Sequence, residues 1–208
     1  CIRDSNSISA TMQVNGSKGI TLGLNNTDAN GNLQRFVTWS EEDKAWMTAH
    51  AGANCAAGSE CGAQLGIWPQ TIVYDPTGKQ VIVGFDEIKR FGGISGYPTV
   101  GQGLAVGPIG ANGWPQLARP DQGGATDNPT LMWGPGELAF TNGALILNGD
   151  YYAYAYGPYW ANYVARVSLT SLTNKSAWTY YAGNGNWVSD VSKACLLYTS
   201  PSPRDRQK

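Results

Sequence analysis

The chain has 208 residues, long enough to form one domain around its own hydrophobic core. Its 14 Lys and Arg against 15 Asp and Glu leave a net charge of -1, without the cationic surface that nucleic-acid binders use to displace counterions. Charged residues are only 14% of the chain, aromatics reach 11%, and no run of about 18 apolar residues occurs, which excludes a disordered chain and a membrane-spanning helix.

In chain order, Cys1 opens a stretch that reads as the middle of a domain and lacks the charged and apolar regions of a signal peptide, so the N-terminus is expected to be truncated. Asp28-Ala-Asn-Gly-Asn32 resembles the start of a calcium loop, but its glycine is displaced and the closing Glu is missing; an Asx turn is the reading. Ser40 precedes Glu41, Glu42 and Asp43, the pattern of a helix N-cap followed by an acidic first turn, and predicts a short helix over 40–49. Cys55 and Cys61 stand six positions apart in a small-residue segment and predict a local disulfide. Zinc is disfavoured because His50 is the sole histidine.

Thr71-Ile-Val-Tyr74, Asp75-Pro-Thr-Gly78 and Gln80-Val-Ile-Val-Gly-Phe85 predict a hairpin in which Pro76 presets φ and Gly78 takes the left-handed position. The glycine-rich stretch 90–128 is expected to be a long loop on the sheet scaffold. Residues 137–140, 144–147, 151–156 and 163–168, separated by Asn/Gly/Asp turns, read as four consecutive antiparallel strands. Such a group has the length and order of one propeller blade, and the predicted fold is all-β: an incomplete β-propeller of about four blades, with a β-sandwich as the rival. Helical turns are otherwise expected only around 169–174.

At the other end, Cys195-Leu-Leu-Tyr-Thr-Ser-Pro-Ser-Pro-Arg-Asp205 resembles the translation of a transposon-type sequencing-library adapter. The domain is therefore expected to span 1–194, with 195–208 a non-native tail. Three Asn-x-Ser triplets or their Thr equivalent, at Asn15, Asn25 and Asn174, join the disulfide in pointing to an extracellular protein.

No nucleophile elbow, phosphate loop, dinucleotide fingerprint or His-Glu-x-x-His occurs, and a Ser-His-Asp hydrolase would rest entirely on His50. Carboxylates and tryptophans remain. Saccharide sites combine flat aromatic platforms with hydrogen-bonding acids and amides, and glycosidic cleavage needs two carboxyl groups, one protonated and one ionised. The candidate catalytic acids are Asp86 and Glu87, adjacent on a strand and so directed to opposite faces, and Glu137 beyond Trp133-Gly-Pro-Gly. Candidate substrate-binding residues are Trp68, Trp133 and Arg166, each with a packing role as the competing explanation. No metal or cofactor is expected.

Asn6-Ser-Ile-Ser-Ala-Thr11, Ile67-Trp68-Pro69, Val81–Lys89, Leu131-Met-Trp133, Asp150–Tyr156, Val164-Ala-Arg-Val167 and Ser176-Ala-Trp-Thr-Tyr-Tyr181 together resemble a family of secreted proteins known as a domain of unknown function. The resemblance spans most of 1–194. It implies a five-bladed propeller related to arabinanase-type glycoside hydrolases, with endo-action on arabinan in some members. The family's acid-bearing Asp motifs lie in the first blade, ahead of the Asn6 segment, and Asp4 does not match them. The expected function is a secreted, monomeric, carbohydrate-active protein acting on a polysaccharide or oligosaccharide through paired carboxylates; the alternative is a non-catalytic glycan- or cell-wall-binding propeller.

Overall fold

The computed structural model describes residues 11–14, 20–23, 35, 37–52, 54–55, 60–110, 115, 117–124, 127–157 and 161–197. The readings made for Cys1, for the Asn15 and Asn25 triplets, for 28–32 and for 198–208 lie outside them.

Strands dominate. An antiparallel pair, β1 (Thr11–Val14) with β2 (Ile20–Gly23), comes first. A nine-residue helix, α1 (Glu41–Ala49), follows. Then come β3 (Ala63–Asp75), β4 (Gln80–Phe91) and β5 (Thr99–Pro108), an antiparallel sheet in the order β3-β4-β5. The last sheet has the order β10-β9-β8-β7-β6, from β6 (Gly143–Leu147), β7 (Asp150–Tyr156), β8 (Asn162–Ser168), β9 (Thr179–Tyr181) and β10 (Trp187–Val188). The described residues are therefore all-β apart from α1 and short 3-10 turns.

The apolar run Val81–Phe85 reflects a strand covered on both faces. Ile82 joins Leu104, Phe140, Tyr151, Trp178 and Tyr180 in one core between the two larger sheets. Val81, Val83 and Phe85 point the other way, onto Val37, Ile67, Leu117 and Leu131. Period-two alternation thus sends one strand into two cores. In β7 the same alternation buries Tyr151, Ala153 and Ala155 and leaves Tyr152, Tyr154 and Tyr156 on the outer face.

Four details differ from the sequence-based expectation, the smallest being that 3-10 turns form at Lys175–Ala177 and Val191–Lys193 as well as near 169–174. In the β3–β4 turn the left-handed residue is Lys79 (φ 51°), not Gly78. Glycine is needed at 78 for room: a Cβ there would lie 2.5 Å from Asp75 Oδ2, which belongs to a buried carboxylate accepting from Thr77 N–H. Residues 99–108 form a strand rather than part of a long loop. Gly101 and Gly103 occupy it because a Cβ would meet the Trp133 carbonyl at 2.8 Å and the Phe85 ring at 3.0 Å. Residues 137–140 form no strand; Ala139 and Phe140 pack into the core, and β9 supplies the fourth strand instead.

Cys55 and Cys61 form the predicted disulfide, with Cα atoms 5.8 Å apart. It closes the segment after α1, where Gly62 N–H donates to His50 O at 2.7 Å. Replacing both cysteines by serine should lower stability by about 2 kcal/mol, the chain-entropy value for so short a loop. A shift in the urea midpoint checks this, and an unchanged midpoint would show that the bridge constrains nothing.

Candidate functional site

Among the described residues, the largest concentration of buried charge lies where α1, β4 and the strand-like segment at Ala118 converge. Each element delivers one group by local chemistry. Ser40 caps α1 through its hydroxyl, which accepts from Asp43 N–H at 3.1 Å, while the Asp43 carboxylate accepts from Ser40 N–H at 3.0 Å. This capping box fixes Asp43 on the inner side of the first turn, where it is 1% exposed. Glu87 follows the Val81, Val83, Phe85 alternation onto the same face of β4 and is also 1% exposed. Arg119 is placed by its neighbours: Ala118 exchanges two 2.9 Å backbone hydrogen bonds with Val106 at the outer edge of β5, and Leu117 bridges to Val37. Gln122 locks the following turn. Its amide donates to Leu104 O and Thr130 O, both at 2.8 Å, and its carbonyl accepts from Leu104 N–H at 3.0 Å.

Arg119 joins the two acids. Its Nη1 donates to Asp43 Oδ2 and its Nη2 to Glu87 Oε2 at 2.8 Å, and its guanidinium lies 4.7 Å from the centre of the Phe85 ring. Asn128 Nδ2 donates to the other Asp43 oxygen at 2.6 Å. One buried cation between two buried carboxylates leaves a surplus negative charge if both are ionised, and burial penalises that charge heavily. Desolvation pushes the Glu87 carboxyl up to about 7; the neighbouring Asp43 charge adds to the rise, and the Arg119 charge opposes it without cancelling it.

Asp43, Glu87 and Asn128 of this cluster line a cavity of about 460 Å³, with Arg119 behind the two acids. Asp43 and Glu87 line it together with Leu131 and Val100, and Glu42, Asp127 and Pro135, all exposed, stand at its rim. Trp46 forms one side. It stacks on His50 with ring centres 3.9 Å apart, and Lys89 Nζ lies 5.0 Å from its ring centre while bonding Glu60 at 2.7 Å. No cluster of three or more metal-ligating side chains occurs among the described residues.

The other candidates from sequence are dispersed. Asp86 faces away from Glu87, as adjacent strand residues must, and accepts from Gln70 Nε2 at 2.8 Å and Thr141 Oγ1 at 3.4 Å. Partial burial raises its carboxyl above the usual aspartate value. Trp68 is its cross-strand partner in β3 and so shares its face, with Tyr97 against it at 5.1 Å. Glu137 clamps a turn: its carboxylate accepts from Gly134 N–H at 2.5 Å and from Lys175 Nζ at 3.0 and 2.9 Å. Trp133 is 2% exposed, edge-on to Trp178 at 5.3 Å, and offers no ring face to a ligand. Arg166 lies on the outer face of the five-stranded sheet, 4.3 Å from the centre of the Trp187 ring, with no carboxylate paired to it among the described residues.

Asp43, Trp46, Arg119, Asn128 and the rim acids were not singled out as site residues. One of them carries a sequence signal: Arg119 is the only charged residue between Arg90 and Asp121, and a cation alone in so apolar a stretch needs a distant carboxylate.

The chain matches no protein-family model and no curated protein. A solved structure described as that of a "putative hydrolase" from Bacteroides ovatus ATCC 8483 is similar to it, with a TM-score of 0.37 and 15% identity over 61% of this chain. The chain spans 30% of that protein's length. No helix among the described residues is long and apolar enough to cross a membrane.

Proposed function

We propose that the cavity lined by Asp43 and Glu87 is the site of an extracellular carbohydrate-active protein that cleaves glycosidic bonds by paired carboxylates. The observation that carries this reading is the place of Glu87, a carboxyl 1% exposed on the wall of a cavity, where burial pushes its titration up to about 7. A proton donor to a leaving glycosidic oxygen must be charged with its proton at working pH, and its partner must be ionised. Glu87 is the acid in this scheme. Glu42 and Asp127, solvated at the rim, are the candidates for the base or nucleophile. Asp43 and Arg119 position Glu87, and the half-buried Trp46 supplies apolar wall for a sugar ring. The separate antiparallel sheets, with the three-stranded one covered on both faces, support a reading of them as propeller blades. The disulfide supports an oxidising compartment.

A second reading has an observation of its own. Both buried acids are already bonded to Arg119, so the triad also suits a structural lock beneath a non-catalytic glycan-binding cavity.

Release of reducing ends from arabinan and a panel of plant, fungal and bacterial polysaccharides separates the two. The enzyme reading expects product, a loss of about 100- to 10,000-fold for Glu87→Gln, and a comparable loss for Glu42→Gln or Asp127→Asn. Retention of a polysaccharide without product would refute hydrolysis and leave the binding reading.

A further inference from the structure

The triplet Asn174-Lys175-Ser176 takes no part in the chemistry above. Asn174 caps the 3-10 turn Lys175–Ala177 and is exposed. Its Oδ1 accepts from Ser176 N–H at 3.1 Å and from the Ser176 hydroxyl at 2.8 Å. Two donors from the second residue onward thus tie down the carbonyl end of the amide, and Nδ2 is left as the unengaged end of an exposed side chain. The intervening residue is drawn aside, because Lys175 Nζ reaches back to both Glu137 oxygens and its N–H donates to Gln122 O at 3.1 Å. The turn is anchored from below by Trp178, whose Nε1 donates to Leu172 O at 3.1 Å.

We propose that Asn174 is an N-glycosylation site. Its Nδ2 takes the anomeric carbon of an oligosaccharide carried on a lipid pyrophosphate; the new C–N bond forms as the anomeric C–O bond breaks. The lipid pyrophosphate leaves with the bonding electron pair, and Nδ2 gives up one proton to the host transferase. The triplet by itself is a short pattern that recurs by chance. Exposure, an Asx turn closed by the Ser176 hydroxyl and an unengaged Nδ2 distinguish this copy. The modification adds bulk outside both cores, so the fold accommodates it without repacking. It also belongs to the compartment in which the Cys55–Cys61 bridge forms.

The full chain, directed into the secretory pathway of a eukaryotic host by an appended leader and recovered with Cys55–Cys61 oxidised, provides the test. The peptide containing Asn174 should carry hexose and N-acetylhexosamine mass, and enzymatic release in heavy-oxygen water should convert Asn174 to labelled Asp. Ser176→Ala and, independently, Asn174→Gln should abolish the added mass, whereas Ser176→Thr should keep it. An unmodified Asn174 peptide in oxidised, lumenal protein would overturn the assignment, as would added mass that survives Asn174→Gln on that peptide.

Discussion

Replacing Arg119 by methionine is expected to destabilise the fold by about 3–5 kcal/mol, the range for removing one member of a buried ion pair. The cause is the pair of carboxylates left behind. Arg119 bonds both Asp43 and Glu87, which are each 1% exposed, and water entering from the cavity replaces a neutralising cation only in part. The triple variant Arg119→Met, Asp43→Asn, Glu87→Gln removes the charges together and should be more stable than the single variant, because no uncompensated charge stays buried. Urea midpoints of the two variants and the parent protein measure both effects. A single-variant loss below about 1 kcal/mol, or a triple variant weaker than the single one, would show that the triad is not a desolvated unit.

The second large effect is on stability as a function of pH. An unfolded glutamate titrates near 4.5, whereas Glu87 in the folded chain holds its proton to about 7. Between those values the native state binds a proton that the unfolded state has lost. The stabilisation linked to this proton is therefore complete below pH 4.5 and is lost as pH rises to about 7. A difference of that size is worth roughly 3 kcal/mol. Glu87→Gln should flatten the profile over this window, because a neutral amide accepts from Arg119 without titrating. A smaller slope in the same direction should survive in the variant, since burial also raises the carboxyl of Asp86. Denaturation series at several pH values decide the matter; a Glu87→Gln profile as steep as the parent's would remove Glu87 as its source.

What the sequence disclosed was local. The Ser40 cap, the Cys55–Cys61 bridge, the β3–β4 hairpin and the alternating tyrosines of β7 each depend on residues within a few positions of one another. Elements whose cause lies elsewhere in the fold carry no such local signal. The glycines of β5 look like loop residues until Trp133, Leu131 and Phe85 are seen against them. Leu138-Ala-Phe140 looks like a strand because apolar runs report burial, and burial here comes without a ladder.

The site follows the same rule. Glu87 was identifiable as an acid at the end of an apolar strand, and the opposite orientation of Asp86 follows from strand geometry. Its partners were not, since Asp43 and Arg119 are 76 positions apart and Arg119 lies 32 from Glu87. In the sequence Asp43 reads only as an acid of the first helical turn; in the structure its carboxylate closes the capping box and also serves the triad. Trp133 drew interest as an aromatic beside glycines, yet those glycines serve a turn closed by Glu137, and the indole is core.

The most direct measurement is the carbon-13 titration of the Glu87 side-chain carboxyl in the intact chain, with Glu87→Gln identifying the resonance. A midpoint close to 7, moving downward in an Asp43→Asn variant that removes the neighbouring charge, is the predicted result. A midpoint at the ordinary glutamate value near 4.5 would contradict the account, because Glu87 would then carry no proton to donate at neutral pH.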